Sequence, residues 1–175
     1  PDSVEILSLL NDTAFLQRYA LNPYNSVSLF LPNTYEMRWN LSADALFDRM
    51  NTEYNRFWND ERKQKAAAIP LTPEQVITLA SIVDAETNYT PEKPTVAGMY
   101  INRLKINMPL QADPTVVFSV GDFSIRRVTG AHLRVESPYN TYRNRGLPPG
   151  PIRIPSIAGI DAVLNYVKSD FIYMC

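Results

Sequence analysis

The chain has 175 residues, 45% hydrophobic and 20% charged, the makeup of a folded domain with enough apolar material for a core. A formal net charge of −1 excludes a general nucleic-acid binder, because neutralising phosphates needs a basic surface. The lone Cys175 and the lone His132 exclude an intrachain disulfide framework and a four-ligand structural zinc site, and His132 reads as an ordinary surface or core residue.

From the N-terminus, Val4, Leu7, Leu10, Phe15 and Tyr19 are spaced for the inner face of a short helical stretch over 3–20. Residues 26–35 read as a strand stopped by the Pro32-Asn33 turn. Ser42 is a plausible N-cap for a helix over 43–60, with Leu46, Phe47, Met50, Tyr54, Phe57 and Trp58 on its apolar face. A Lys/Ala-rich stretch over 62–68 leads to the best-marked helix start in the chain. There Thr72 is the cap, Pro73 takes the first helical position and Gln75 completes a capping box. That helix should run to about Thr87, and another should follow over 93–106, carrying Val96, Met99, Tyr100, Ile101 and Leu104.

Beyond 107, prolines and glycines punctuate short segments and predict ordered, irregular loops of the kind that form sites. Ser156 then caps a helix over 157–168, and the apolar run 171–175 reads as a strand cut short. The expected fold class is α+β, with a loop-rich middle that shapes a groove. The chain reads as a fragment of a longer protein.

The helix from Pro73 carries two acids, Asp84 and Glu86, towards the two edges of a wide apolar arc. Two residues apart on a helix they point in different directions, so they cannot form a paired site with each other. A carboxyl group on an apolar face resists ionisation, and a helix C-terminus resists it further, which is how an acid able to protonate a glycosidic oxygen is made. Both acids fit that description, and periodicity does not choose between them. The competing reading is a structural carboxylate paired to an arginine such as Arg103, Arg126 or Arg127. Downstream, 110–115 and 137–142 are dense in amide, hydroxyl and phenol groups suited to sugar hydroxyls, although Asp-Pro-Thr and Pro-Tyr-Asn-Thr are also good turn sequences.

Several segments in register resemble the endolytic murein transglycosylase family of YceG-like proteins. They are 79–87 (Leu-Ala-Ser-Ile-Val-Asp-Ala-Glu-Thr), 97–104 (Ala-Gly-Met-Tyr-Ile-Asn-Arg-Leu) and 108–115 (Met-Pro-Leu-Gln-Ala-Asp-Pro-Thr). Two more are 137–142 (Ser-Pro-Tyr-Asn-Thr-Tyr) and 146–152 (Gly-Leu-Pro-Pro-Gly-Pro-Ile), while 29–35 resembles the segment that precedes the family's catalytic domain. The family helix carries Glu-x-Glu with the second glutamate catalytic. The resemblance therefore selects Glu86, and leaves Asp84, an aspartate where the family has glutamate, as the reserve.

What the resemblance implies is a lytic cut of the MurNAc–GlcNAc bond that leaves 1,6-anhydroMurNAc ends, with Glu86 acting first as acid and then as base. Gln111, Asp113, Thr115, Tyr139, Asn140 and Thr141 would line the glycan groove, and Gly146 to Gly150 would shape its wall. No metal or organic cofactor is implied. The same resemblance assigns 1–38 to the end of a LysM-like subdomain and 39–175 to a catalytic domain incomplete at its C-terminal end. It also implies a membrane anchor in the full-length protein, the periplasmic side of the inner membrane, peptidoglycan strands as substrate and a cell-wall synthase as partner. Two alternatives remain open: a hydrolytic muramidase using Glu86 with Asp113, and a non-catalytic glycan-binding module.

Overall fold

The computed structural model describes residues 1–173, and among them all regular structure is helical. In chain order the α-helices are α1 (Ser3–Leu10), α2 (Thr13–Leu16), α3 (Ala43–Phe57), α4 (Asp60–Ala68), α5 (Pro73–Glu86), α6 (Lys93–Lys105), α7 (Asp113–Val120) and α8 (Ile157–Leu164). Single 3-10 turns at Gln17–Tyr19, Ser26–Leu29, Thr90–Glu92 and His132–Arg134 join them.

The α+β expectation is therefore corrected. The predicted strand over 26–35 is instead a 3-10 turn followed by irregular chain, and Ser26 and Ser28 are buried along with Leu29. Polar and apolar residues thus do not divide between two faces there, and no neighbouring strand supplies a ladder. At the other end, residues 169–173 also form no strand, and 174–175 lie outside the described residues. The carbonyls of Ser169, Phe171 and Ile172 are taken by α6 side chains: Asn102 Nδ2 donates to the first two at 2.6 and 2.9 Å, and Arg103 Nε to the third at 2.7 Å. A backbone satisfied by side chains needs no partner strand.

Local signals explain most helix boundaries. Ser42 Oγ accepts from the Ala45 amide, and Thr72 and Gln75 form the reciprocal capping box at the start of α5. The helix expected over 43–60 stops at Phe57, because Asn59 caps a new helix by accepting from the Arg62 amide at 3.0 Å. The expected helix over 157–168 ends earlier, at Leu164. α7 falls where loops were expected. Its Asp113-Pro114 start is a good first turn, since the acid meets the positive end of the helix dipole and Pro lacks only a hydrogen that would go unused.

α5 is the central element. Every residue from Val76 to Asp84 is buried, and the helix packs against α4, α6, α7 and α8. Its main core gathers Trp58, Ile77, Leu79, Ile82, Tyr100, Ile101 and Ile160 among others. A second core joins Leu16, Leu21 and Leu29 to Phe47 and Met50 of α3. On α1 the inward face is that of Leu9 and Leu10, whereas Val4 and Leu7, expected inside, are exposed. No single described helix is long and apolar enough to cross a membrane.

Candidate active site

The two acids of α5 have separate fates. Asp84 is buried, and Lys93 Nζ donates to its Oδ1 at 2.7 Å. Its Oδ2 accepts from the Ser156 amide at 2.6 Å, at the positive end of α8. This carboxylate ties α5, α6 and α8 together. Its partner is Lys93, not any of the arginines expected. Gly159 has no side chain where it passes Asp84: a Cβ there would stand 2.4 Å from Oδ1.

Glu86 is the last residue of α5. The chain leaves the helix because Thr87 is extended, with its hydroxyl donating to Glu92 at 2.7 Å, and the following turn contains Pro91. Glu86 as a whole residue is solvent-exposed, yet protein atoms crowd its carboxyl group. That desolvation is the largest influence on its pKa, which lies above the ordinary carboxylate range. A hydrogen bond from Tyr100 Oη to Oε2, at 3.3 Å, acts in the opposite direction, as does the charge of Arg103, while Asp113 and Glu92 reinforce the rise. The Tyr100 hydroxyl, buried beside this acid, is itself pushed well above its usual range.

A cavity of about 550 Å³ opens at this end of α5. Ala85 and Glu86 form one side, Asp113, Pro114, Val117 and Phe118 of α7 another. Phe123, Ile125, Arg126 and Val128 come from the loop after α7, and Ile152 and Arg153 complete the wall. Ser81 of α5 accepts from the Ile152 amide at 3.1 Å, so the core helix itself holds that last segment. Asp113 is exposed, and its Oδ1 accepts from Tyr142 Oη at 2.6 Å, a contact that, after burial, helps push the Tyr142 hydroxyl up to about 12. Two acidic and two basic residues thus line one cavity among apolar neighbours, a setting for proton transfer to a polar substrate.

Of the other residues expected around Glu86, the structure brings none to the cavity wall. Thr115 and Thr141 are buried, and their hydroxyls meet at 2.8 Å. Thr141 also accepts from the Ala112 amide at 3.0 Å, and its carbonyl from the Gln111 amide at 3.2 Å. Asn140 is fully buried and donates to the carbonyls of Leu133 and Val135. These groups brace the chain that delivers Asp113. Gln111 is exposed with φ +51°, a left-handed turn rarely adopted outside glycine, and the Thr141 carbonyl holds it there. Tyr139 packs on Phe118, ring centres 4.6 Å apart, and so supports the cavity wall from behind. Gly146 to Pro149 line a second cavity, of about 540 Å³, with Thr72, Glu74 and Gln75 at the opposite end of α5.

Sequence reasoning did not place Val117, Phe118, Phe123, Ile125, Val128 and Arg153 here, and offered Arg126 only as an ion-pair partner for an acid. Nothing local marks them, and only the closing motif that ends at Ile152 pointed to their neighbourhood.

Comparison with known proteins agrees with this architecture. The chain is 33% identical over 129 residues to a protein of Bacillus subtilis (strain 168) named endolytic murein transglycosylase, covering 74% of this chain and 34% of that protein. A Streptococcus pneumoniae (strain ATCC BAA-255 / R6) protein of the same name is 31% identical over 163 residues, covering 89% of this chain and 28% of that protein. The chain therefore spans about a third or less of the length of these relatives. A crystal structure of a yceG-like protein from Listeria monocytogenes superposes with a TM-score of 0.80 at 26% identity, over 99% of this chain and 61% of that one. Residues 3–175 match the YceG-like family, and the chain belongs to that family.

Proposed function

We propose that this chain is the catalytic part of a peptidoglycan lytic transglycosylase that cuts within glycan strands, with Glu86 as the proton-transfer residue. The observation that carries the reading is Glu86, raised in pKa by desolvation, at the wall of a cavity large enough for sugar rings. The names of the relatives from Bacillus subtilis and Streptococcus pneumoniae support the substrate class.

On this reading protonated Glu86 donates to the oxygen joining MurNAc to GlcNAc. The C1–O bond breaks with its electron pair going to the leaving oxygen, and positive charge develops at C1 of MurNAc. The C6 hydroxyl of the same sugar attacks C1, and the Glu86 carboxylate takes its proton. The product is a 1,6-anhydro ring, and the acid is regenerated without water. Tyr100 holds Oε2, which leaves Oε1 as the oxygen that carries the proton. Thr115, Asn140 and Thr141 act by positioning α7 and Asp113, without touching the sugar.

The full-length protein would carry a membrane anchor, with residues 1–38 closing a LysM-like part. It would work on the periplasmic side of the inner membrane beside a cell-wall synthase.

One observation favours a second reading: Asp113 shares the cavity with Glu86, as a base activating water would in a hydrolytic muramidase. Mass spectrometry of digested peptidoglycan strands separates the two. Anhydro ends that vanish in Glu86→Gln support the transglycosylase, and reducing ends that require Asp113 support the muramidase. Strands bound but left uncut would point to a non-catalytic glycan-binding module.

A further inference from the structure

Apolar residues such as Val117, Phe118 and Phe123 line the cavity with the acids Glu86 and Asp113, and two arginines from separate segments also line it. Arg126 comes from the loop after α7, and Arg153 follows the Pro-Gly-Pro turn. Both are exposed, and among the described residues neither guanidinium has an ion-pair or hydrogen-bond partner. Arg18, Arg49, Arg56, Arg62 and Arg143, by contrast, each hold a carboxylate of the protein. The cavity's own acids do not occupy the pair either, since Glu86 is engaged by Tyr100 and Asp113 by Tyr142.

A guanidinium presents a planar fork of donors that fits a carboxylate in a bidentate manner, and an apolar surround strengthens the pairing once substrate displaces water. A glycan backbone made only of neutral sugars offers nothing to such a pair. Murein strands do: a strand stripped of peptide carries a free lactyl carboxylate on each MurNAc, while in an intact strand that group is an amide and the carboxylates belong to the peptide stem.

Resting on the glycan reading above, we propose that Arg126 and Arg153 form a carboxylate-binding site on the cavity wall that selects acid-bearing strands and seats the scissile bond against Glu86. Both are specificity residues and take no part in proton transfer.

The test is equilibrium binding and cleavage of three fluorescent strand preparations by the whole chain: stem-bearing strands, amidase-stripped strands, and stripped strands whose lactyl groups are capped as methylamides. The site predicts at least about tenfold tighter binding of a carboxylate-bearing preparation than of the capped one. That preference should weaken with added salt, disappear in Arg126→Gln/Arg153→Gln, and return in part with lysine at both positions. Whichever of the stem-bearing and stripped strands binds more tightly identifies the carboxylate source. Equal binding of charged and capped strands, or a preference that survives the double glutamine variant, overturns the site while leaving the transglycosylase reading untouched. Selective binding with no cut in any strand would instead sink the transglycosylase reading and leave the carboxylate site standing. No binding to any preparation would remove both.

Discussion

Tyr100 of α6 reaches the last residue of α5 and donates its phenolic hydrogen to Glu86 Oε2 across 3.3 Å. The bond stabilises the ionised acid, and so works against the burial and the Asp113 charge that favour its protonated form. The Tyr100 hydrogen bond and the Asp113 charge thus act on Glu86 in opposite directions, and each can be removed singly.

Because Glu86 must be protonated to act, strand cleavage should be present below its raised pKa and fall away as pH rises through it. Tyr100→Phe removes an influence that lowers the pKa, so the alkaline limb of the kcat/KM profile should move to higher pH. Asp113→Asn removes one that raises it, so the limb should move to lower pH. Profiles that shift together, or not at all, would show that another group controls the limb.

The same shift has a consequence for stability. A carboxyl group whose pKa is higher folded than unfolded favours the native state below its unfolded pKa, and that contribution is lost as pH rises through the folded value. Glu86→Gln should therefore unfold at the same temperature as the parent, or a higher one, at alkaline pH. A clear loss of Tm there would make Glu86 a structural residue.

Asp84 predicts the reverse. Replacing it with asparagine leaves Lys93 buried without its counter-charge and weakens the acceptor for the Ser156 amide. Breaking such a pair costs about 3–5 kcal/mol, measurable by urea denaturation. A loss below about 1 kcal/mol would mean that solvent reaches the pair.

Thr141→Val tests whether this hydroxyl braces α7 or reads sugar. It removes the acceptor for the Ala112 amide and the partner of Thr115, so stability should fall by about 1–3 kcal/mol. A direct sugar contact would instead raise KM with the unfolding midpoint unchanged.

Gly98 lies against the irregular segment that follows α8. A Cβ at this position would stand 2.3 Å from the Val167 carbonyl oxygen, whereas one at Gly130 would meet nothing within 4 Å. Gly98→Ala should lower stability by about 1–3 kcal/mol through overpacking despite alanine's better helix propensity, and Gly130→Ala should leave it within about 0.5 kcal/mol. Thermal unfolding of the two variants side by side decides it.

Capping signals and apolar spacing determined α3, α5, α6 and the start of α8 from the sequence alone, because a cap and a repeating face are short-range features. Periodicity left two acids on α5 equivalent, and the choice of Glu86 rested on the family resemblance. That the described residues form no sheet was not legible in the sequence, since an apolar run becomes a strand only if a neighbour pairs with it, and at the C-terminal run the side chains of Asn102 and Arg103 satisfy the backbone instead. Nor could the sequence separate Asp84 from Glu86 physically: Lys93 and the Ser156 amide claim one acid, a cavity wall surrounds the other, and both environments are built by distant segments. Arg126, Arg153, Phe123, Ile125 and Ile152 of that wall lie on loops, and Phe118 on the short α7, with no periodicity to mark them. What each of them faces was decided only when α5, α7 and the 150s segment packed together, because proximity across the chain is a property of the core and not of any window of residues.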